Sequence, residues 1–174
     1  MRWLVLLRAV NLGPRNKVPM AELRRLLEEA GHGPARTYIA SGNVLFDGPR
    51  SRPRAAAALE RLVTDAFGVE TVAMLRTPAE LAAVVAGNPF GRDTAHTHVS
   101  FLAGKPAAGA AARIAALAGR EQVELAGTHA YVRYPDGVGR STLTAARLEQ
   151  LLGVAGTVRN WRTVLALAEL AAED

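Results

Sequence analysis

The order of elements read from this sequence describes an α/β chain of the α+β kind: two tandem βαββαβ halves, 1–87 and 92–174, with an extra C-terminal helix. Three observations predict it. Short apolar runs bounded by turn residues alternate with segments of helical spacing. Each half holds a pair of β-rich runs about a glycine-containing turn, the signature of a hairpin. The densest turn cluster, Gly87-Asn88-Pro89-Phe90-Gly91, falls midway, and the order of elements repeats after it.

The elements follow in order. RWLVLLRAV at 2–10 is a short apolar run ahead of the turn-rich NLGPRNK, and reads as a buried strand. Pro19 suits a first helical turn, and Leu23, Leu26 and Leu27 give the helix an apolar stripe that stops at Gly31. Thr37-Tyr38-Ile39 and Val44-Leu45-Phe46 form a hairpin about Ser41-Gly42-Asn43. Leu59, Leu62, Val63 and Phe67 mark a helix from Pro53 to Phe67, Gly68 ends it, and Val69 to Leu75 returns as a strand. Pro78 to Ala86 is a linker helix.

In the second half Val99 to Leu102 is a strand and Ala107 to Leu117 a helix. A hairpin turns at Gly127-Thr128 between Val123–Leu125 and Tyr131–Tyr134, and Leu143 to Leu152 is a helix. A short extended piece at Thr157-Val158 precedes a final helix through Trp161, Val164, Leu165, Leu167 and Leu170. The repeated order is that of a duplicated split βαβ, or ferredoxin-like, architecture.

Composition narrows the function. The net charge is +5 and the pI about 10.4, which suits an anionic partner. Nineteen of the 21 basic residues are Arg and they are scattered, so the charge fits Arg-rich coding as well as phosphate recognition, and nucleic acid is only weakly supported as a partner. The βαββαβ order is shared with the RNA-recognition module, but the third strand offers only Phe46 for stacking. There is no cysteine, which excludes disulfides, thiolate metal sites and Cys nucleophiles. Trp3 to Leu7 is interrupted by Arg8 and lacks a cleavage site, and no segment reaches the roughly 20 apolar residues of a membrane span. A cytoplasmic protein without membrane contact is expected.

Three stretches carry a resemblance: LLRAVNLGPRNKVPMAELRRLLEEAG at 6–31, RTYIASGNVLF at 36–46 and TVRNWRTVLALAEL at 157–170. Together they resemble the domain-of-unknown-function family 1697, a bacterial family whose pattern runs close to LRGINVGGKNKIPM, RTYIQSGNVVF and TxRNWNTVxKL. Matching positions are Arg8, Asn11, Gly13, Asn16, Lys17, Pro19, Met20, Thr37, Ser41, Gly42, Asn43, Arg159, Asn160, Trp161 and Thr163. The chain departs at Ala9, Leu12, Pro14-Arg15 and Arg162. The resemblance implies two ferredoxin-like subdomains and no established activity.

The candidate ligand-binding residues are Arg8, Asn11, Asn16, Lys17, Ser41, Gly42, Asn43, Arg159 and Asn160. In a split βαβ unit the first two strands are parallel with the third between them, so the 11–17 loop, the 41–43 turn and the helix start near Pro19 share one sheet edge. Backbone N–H groups there, with Arg15 and Lys17, suit phosphate or carboxylate. A structural reading stands beside it, since Ser-Gly-Asn is also what a tight turn needs and Asn11 and Asn16 are also loop hydrogen-bonders. Strand alternation puts Arg8 on the face of Leu4 and Leu6, where it must meet a carboxylate or a ligand. Arg159-Asn160-Trp161 reads as the start of the last helix, with Asn160 as N-cap and Arg159 either clamping the helix or completing an anion pocket.

No catalytic residue, cofactor or metal is assigned. His96 and His98 have strand spacing for one metal but no third ligand, and Gly-x-Ser-x-Gly, Gly-x-Gly-x-x-Gly and Walker loops are absent. The leading expectation is therefore binding of an anionic small molecule, phosphorylated or carboxylated, with nucleotide and nucleic acid included. The alternatives are an enzyme using the same pocket, with Asp47 or Ser41 as acid or nucleophile, and a protein-interaction module. Oligomeric state is not legible.

Overall fold

The computed structural model describes residues 1–173. Its described residues form two four-stranded antiparallel sheets and six helices, grouped in two compact units, Met1–Ala83 with Leu167–Asp174 and Val84–Ala166. The C-terminal helix expected within 92–174 is shared, with its residues up to Ala166 in the second unit and those from Leu167 in the first.

The first unit runs β1 (Arg2–Leu7), α1 (Met20–Glu29), β2 (Arg36–Tyr38), β3 (Asn43–Asp47), α2 (Arg52–Phe67), β4 (Ala73–Arg76) and α3 (Pro78–Ala86). Its strand order is β2-β3-β1-β4. Trp3, Val5 and Leu7 of β1 and Val44 and Phe46 of β3 meet Leu23 and Leu27 of α1 and Leu59 and Val63 of α2 in one core. The other face of β1 is buried as well, with Leu4 and Leu6 inaccessible, and for this reason the strand reads as an unbroken apolar run.

The second unit runs β5 (Thr97–Leu102), α4 (Ala110–Leu117), β6 (Gln122–Ala126), β7 (His129–Arg133), α5 (Ala145–Leu152), β8 (Gly156–Asn160) and the start of α6 (Trp161–Ala172). Its strand order is β6-β7-β5-β8. Leu102, Val132 and Tyr134 pack with Ile114, Leu148 and Leu152.

The repeat extends to individual residues. Arg76 pairs with Leu4, the third residue of β1, and Arg159 pairs with Val99, the third residue of β5. Both arginines are buried, and burial pushes both guanidinium groups down, to about 10. The residue after each caps the next helix. Thr77 Oγ1 accepts from Glu80 N at 3.1 Å while Glu80 Oε2 accepts from Thr77 N at 2.8 Å, a reciprocal capping box at α3. Asn160 Oδ1 accepts from Thr163 N at 2.8 Å at α6.

Two sequence expectations need correction here. β1 ends at Leu7 rather than continuing to residue 10, because Ala9 adopts φ 56° and turns the chain out of the sheet. Arg159 lies in a strand, not at a helix start, because β8 reaches Asn160 before α6 begins.

Candidate functional site

β1 and β2 both pair antiparallel with β3, so their C-terminal ends and the N-terminal end of β3 lie together: Leu6 and Tyr38 both face Asn43 in register. β4 begins at the same end, where Ala73 pairs with Leu7. The 11–17 loop and the 39–42 loop leave the sheet from this end and are joined by one side chain. Asn11 Nδ2 donates to the carbonyls of Val18 (2.8 Å) and Ala40 (2.7 Å), and its Oδ1 accepts from Val18 N at 2.8 Å.

The other amides of the candidate set also hold the loops. Asn16 Nδ2 donates to Ala9 O at 3.0 Å, and the Asn16 carbonyl accepts from Asn11 N at 2.8 Å. Asn43, fully buried, donates through Nδ2 to Tyr38 O and Ser41 Oγ, both at 2.9 Å. Gly42 has φ +83°, and a Cβ there would meet Val10 Cγ2 at 2.5 Å and Leu7 Cβ at 2.9 Å. Only glycine fits the turn against the end of β1.

Arg15 and Lys17 stand out from this scaffold into solvent and make no ion pair among the described residues. Pro19 is the N-cap of α1 and gives no side-chain cap. Asn11, Lys17, Thr37 and Ile39 line a cavity of about 390 Å³ there.

Arg8 lies on the β4 side of the same sheet end. Its N–H donates to Val72 O at 3.0 Å, its carbonyl accepts from Thr71 Oγ1 at 2.7 Å, and it lines a second cavity, of about 580 Å³, with Glu60, Arg61 and Glu70. The α2 residues in that lining put Arg8 beside α2, so the alternation that places it with Leu4 and Leu6 stops where the strand stops.

Asp47 is not beside the edge. It sits at the other end of β3, four residues or ~13 Å from Asn43 at ordinary strand rise, and pairs with Arg2 at 3.7 Å. Ser41 Oγ accepts from Asn43, and His32, the one histidine in the first unit, meets Phe46 edge-on near Asp47 and donates through Nδ1 to the Asp47 carbonyl, 3.2 Å away. Asp47 and His32 therefore both lie toward the other end of β3 from Ser41, not beside it as a nucleophile's base would.

Arg159 and Asn160 belong to the second unit. Arg159 Nη1 donates to Thr157 Oγ1 (2.7 Å) and Val158 O (2.9 Å), and Asn160 caps α6. His96 and His98 take separate partners: His96 Nδ1 is 2.9 Å from Asp93 Oδ1, whereas His98 meets the Tyr134 ring edge-on. Burial lowers the His98 pKa. Among the described residues no cluster of three or more His, Asp or Glu could hold a metal, and no helix is long and apolar enough to cross a membrane.

Sequence reasoning missed Arg76. Its signal was present, an arginine followed by a capping residue at the end of each half.

Fold and edge together define an α+β protein of two units with the same strand order, carrying a braced pair of loops at one sheet end. The chain belongs to the family described as Protein of unknown function (DUF1697), whose model matches residues 1–131. A solved structure of a conserved bacterial protein from Streptococcus pneumoniae is similar in fold, with a TM-score of 0.76, 24% identity and 98% of each chain covered. No curated protein matches in sequence.

Proposed function

We propose that the chain binds an anionic small molecule, phosphorylated or carboxylated, at the edge formed by residues 11–17 and 41–43. One observation carries the reading. The non-glycine residues with positive φ among the described residues are Ala9, Asn11, Asn16 and Ile39, and all four lie on the two loops of this edge. Such conformations cost about 1–3 kcal/mol each, persist where neighbouring structure fixes them, and gather at ligand sites. The asparagines are occupied in bracing the loops, so ligand contact falls to Arg15, Lys17 and the uncapped N–H groups at the start of α1. Arg159 and Asn160 are not called on.

Thermal unfolding in the presence of phosphate, pyrophosphate, a nucleoside triphosphate and citrate tests this. A ligand at a hundred times its Kd adds about 2.7 kcal/mol of stability, and the doubly substituted Arg15→Glu, Lys17→Glu chain loses that gain while keeping its fold. No gain from any of the four anions, or an equal gain in the double variant, overturns the proposal. Nucleic acid is distinguished by binding at low salt that falls steeply as salt is added.

The same reading takes both units as tandem ferredoxin-like halves, 1–87 and 92–174, in a cytoplasmic protein. Their common strand order and the in-register Arg76 and Arg159 support the first, and the lack of cysteine fits the second.

A further inference from the structure

We propose that the groove between α4 and β6 in the second unit receives an extended peptide in which apolar residues alternate with Lys or Arg, added to the sheet as a fifth strand. β6 is an edge strand that pairs only with β7, so its outer row of N–H and C=O groups is open to another chain. Beside that edge runs a groove of about 490 Å³, floored by Ile114 and Ala115 of α4 and by Val123 and Leu125 of β6. An edge strand beside a helix with apolar lining is the arrangement in which strand addition gives affinity through backbone bonds and specificity through alternate side chains.

The corresponding edge of the first unit is closed to such use. β2 has only three residues, and its Arg36 is held by Glu173 at 2.7 Å.

Alternation sets the partner's pattern. Val123 and Leu125 pack toward the second core, so strand alternation projects the exposed Glu124 side chain between them from the opposite face, while Glu121 and Glu124 both border the groove. A strand laid beside β6 thus turns every second side chain to apolar lining and the others toward Glu124. Glu121, just before β6 and in the groove lining, puts a second negative charge at that end of the groove. Bonds from the Ser141 hydroxyl and the Gly119 N–H hold its carboxyl below the usual range.

Of the nearby cations, Arg120 pairs with Asp136 and Arg133 with Asp93, while Arg113 keeps its charge but is turned to the Leu151 carbonyl on the α5 side. A second copy of the chain is disfavoured as occupant. Glu124 is the middle residue of β6, and twofold antiparallel pairing centred there would set Glu124 against Glu124.

The test uses the full chain, ¹⁵N-labelled, with blocked nonapeptides of alternating Lys and Val, of alternating Glu and Val, and of Lys and Val with alternate backbone amides N-methylated. Amide shifts at 122–126 that saturate with the Lys-Val peptide are expected, with the other two peptides at least about tenfold weaker, a difference of about 1.4 kcal/mol. Ala115→Leu, an exposed helix position that narrows the groove, should weaken the Lys-Val peptide by a similar factor. Glu124→Lys should weaken it about threefold to fivefold, as befits one exposed charge pair, and should improve the Glu-Val peptide. Absence of shifts at β6, equal affinity for the two charge patterns, or a dimer closed through β6 overturns the proposal.

Discussion

Asn11 and Ala40 are joined across 2.7 Å by the Asn11 amide and the Ala40 carbonyl, and that bond ties the loop after β1 to the loop between β2 and β3. The residues are 29 apart in sequence, yet the same amide also clamps Val18 through both its oxygen and its nitrogen. Asn11→Ala removes three bonds and leaves an alanine at φ 55°. At about 1 kcal/mol per bond, partly regained by water, the loss should be about 2–3 kcal/mol. Urea unfolding of the variant measures it, and Asn11→Gly, which keeps the backbone at ease, should recover about 1 kcal/mol of that loss.

Gly42 and Gly13 separate steric from conformational cost. Both have positive φ, but a Cβ at Gly42 collides with Val10 and Leu7 whereas a Cβ at Gly13 meets nothing within 4 Å. Gly13→Ala should cost about 1 kcal/mol, the backbone term alone. Gly42→Ala adds overpacking of about 1–3 kcal/mol. Equal midpoints for the two variants in urea would show that the turn yields freely.

Much of this fold is written locally. α3 matches its sequence expectation at both ends because Pro78 and the run to Ala86 carry their own start and stop, and α2 does so within a residue because Gly68 takes the left-handed cap. Failures fall where backbone conformation, not side-chain pattern, decides. Ala9 at φ 56° ends β1 early, and no local rule assigns that conformation to an alanine followed by valine. Arg159 belongs to β8 because β5 pairs with it, a partner 60 residues away. The edge itself was legible from topology, but the bracing role of Asn11 needs Ala40, and the strain at Ile39 shows only in the folded backbone.

Tyr134 supplies a pH test. Its hydroxyl donates to Leu143 O at 3.0 Å inside the second core, and burial, with Glu121 adding to it, pushes its pKa up to about 12. The folded value is above the unfolded value of 10, so the folded state holds the proton more tightly. The stabilisation is whole below pH 10 and is lost as pH rises toward 12, at about 1.4 kcal/mol per unit. Tyr134→Phe should be about 1 kcal/mol less stable at neutral pH for want of the bond, and should lack this share of the alkaline slope. Denaturant midpoints of both proteins from pH 8 to 11 show it, and parallel curves count against it.

Ile39 joins strain to the proposed site. It is β-branched, sits at φ 47°, and is 52% exposed, so it has little burial to set against an unfavourable backbone. The left-handed region costs such a residue about 1–2 kcal/mol. Asn tolerates that region by bonding its own backbone, so Ile39→Asn should raise stability by about 1 kcal/mol with the loop path unchanged. Ile39 also lines the cavity beside Lys17 and Thr37. If the edge binds an anion there, the same substitution should keep anion affinity within about threefold, since the charge and N–H groups are untouched, whereas Ile39→Pro, which cannot hold positive φ, should lose both stability and binding. Differential scanning calorimetry with and without the anion separates the two effects. A stability that falls in Ile39→Asn would mean that the isoleucine side chain, not the backbone, shapes this loop.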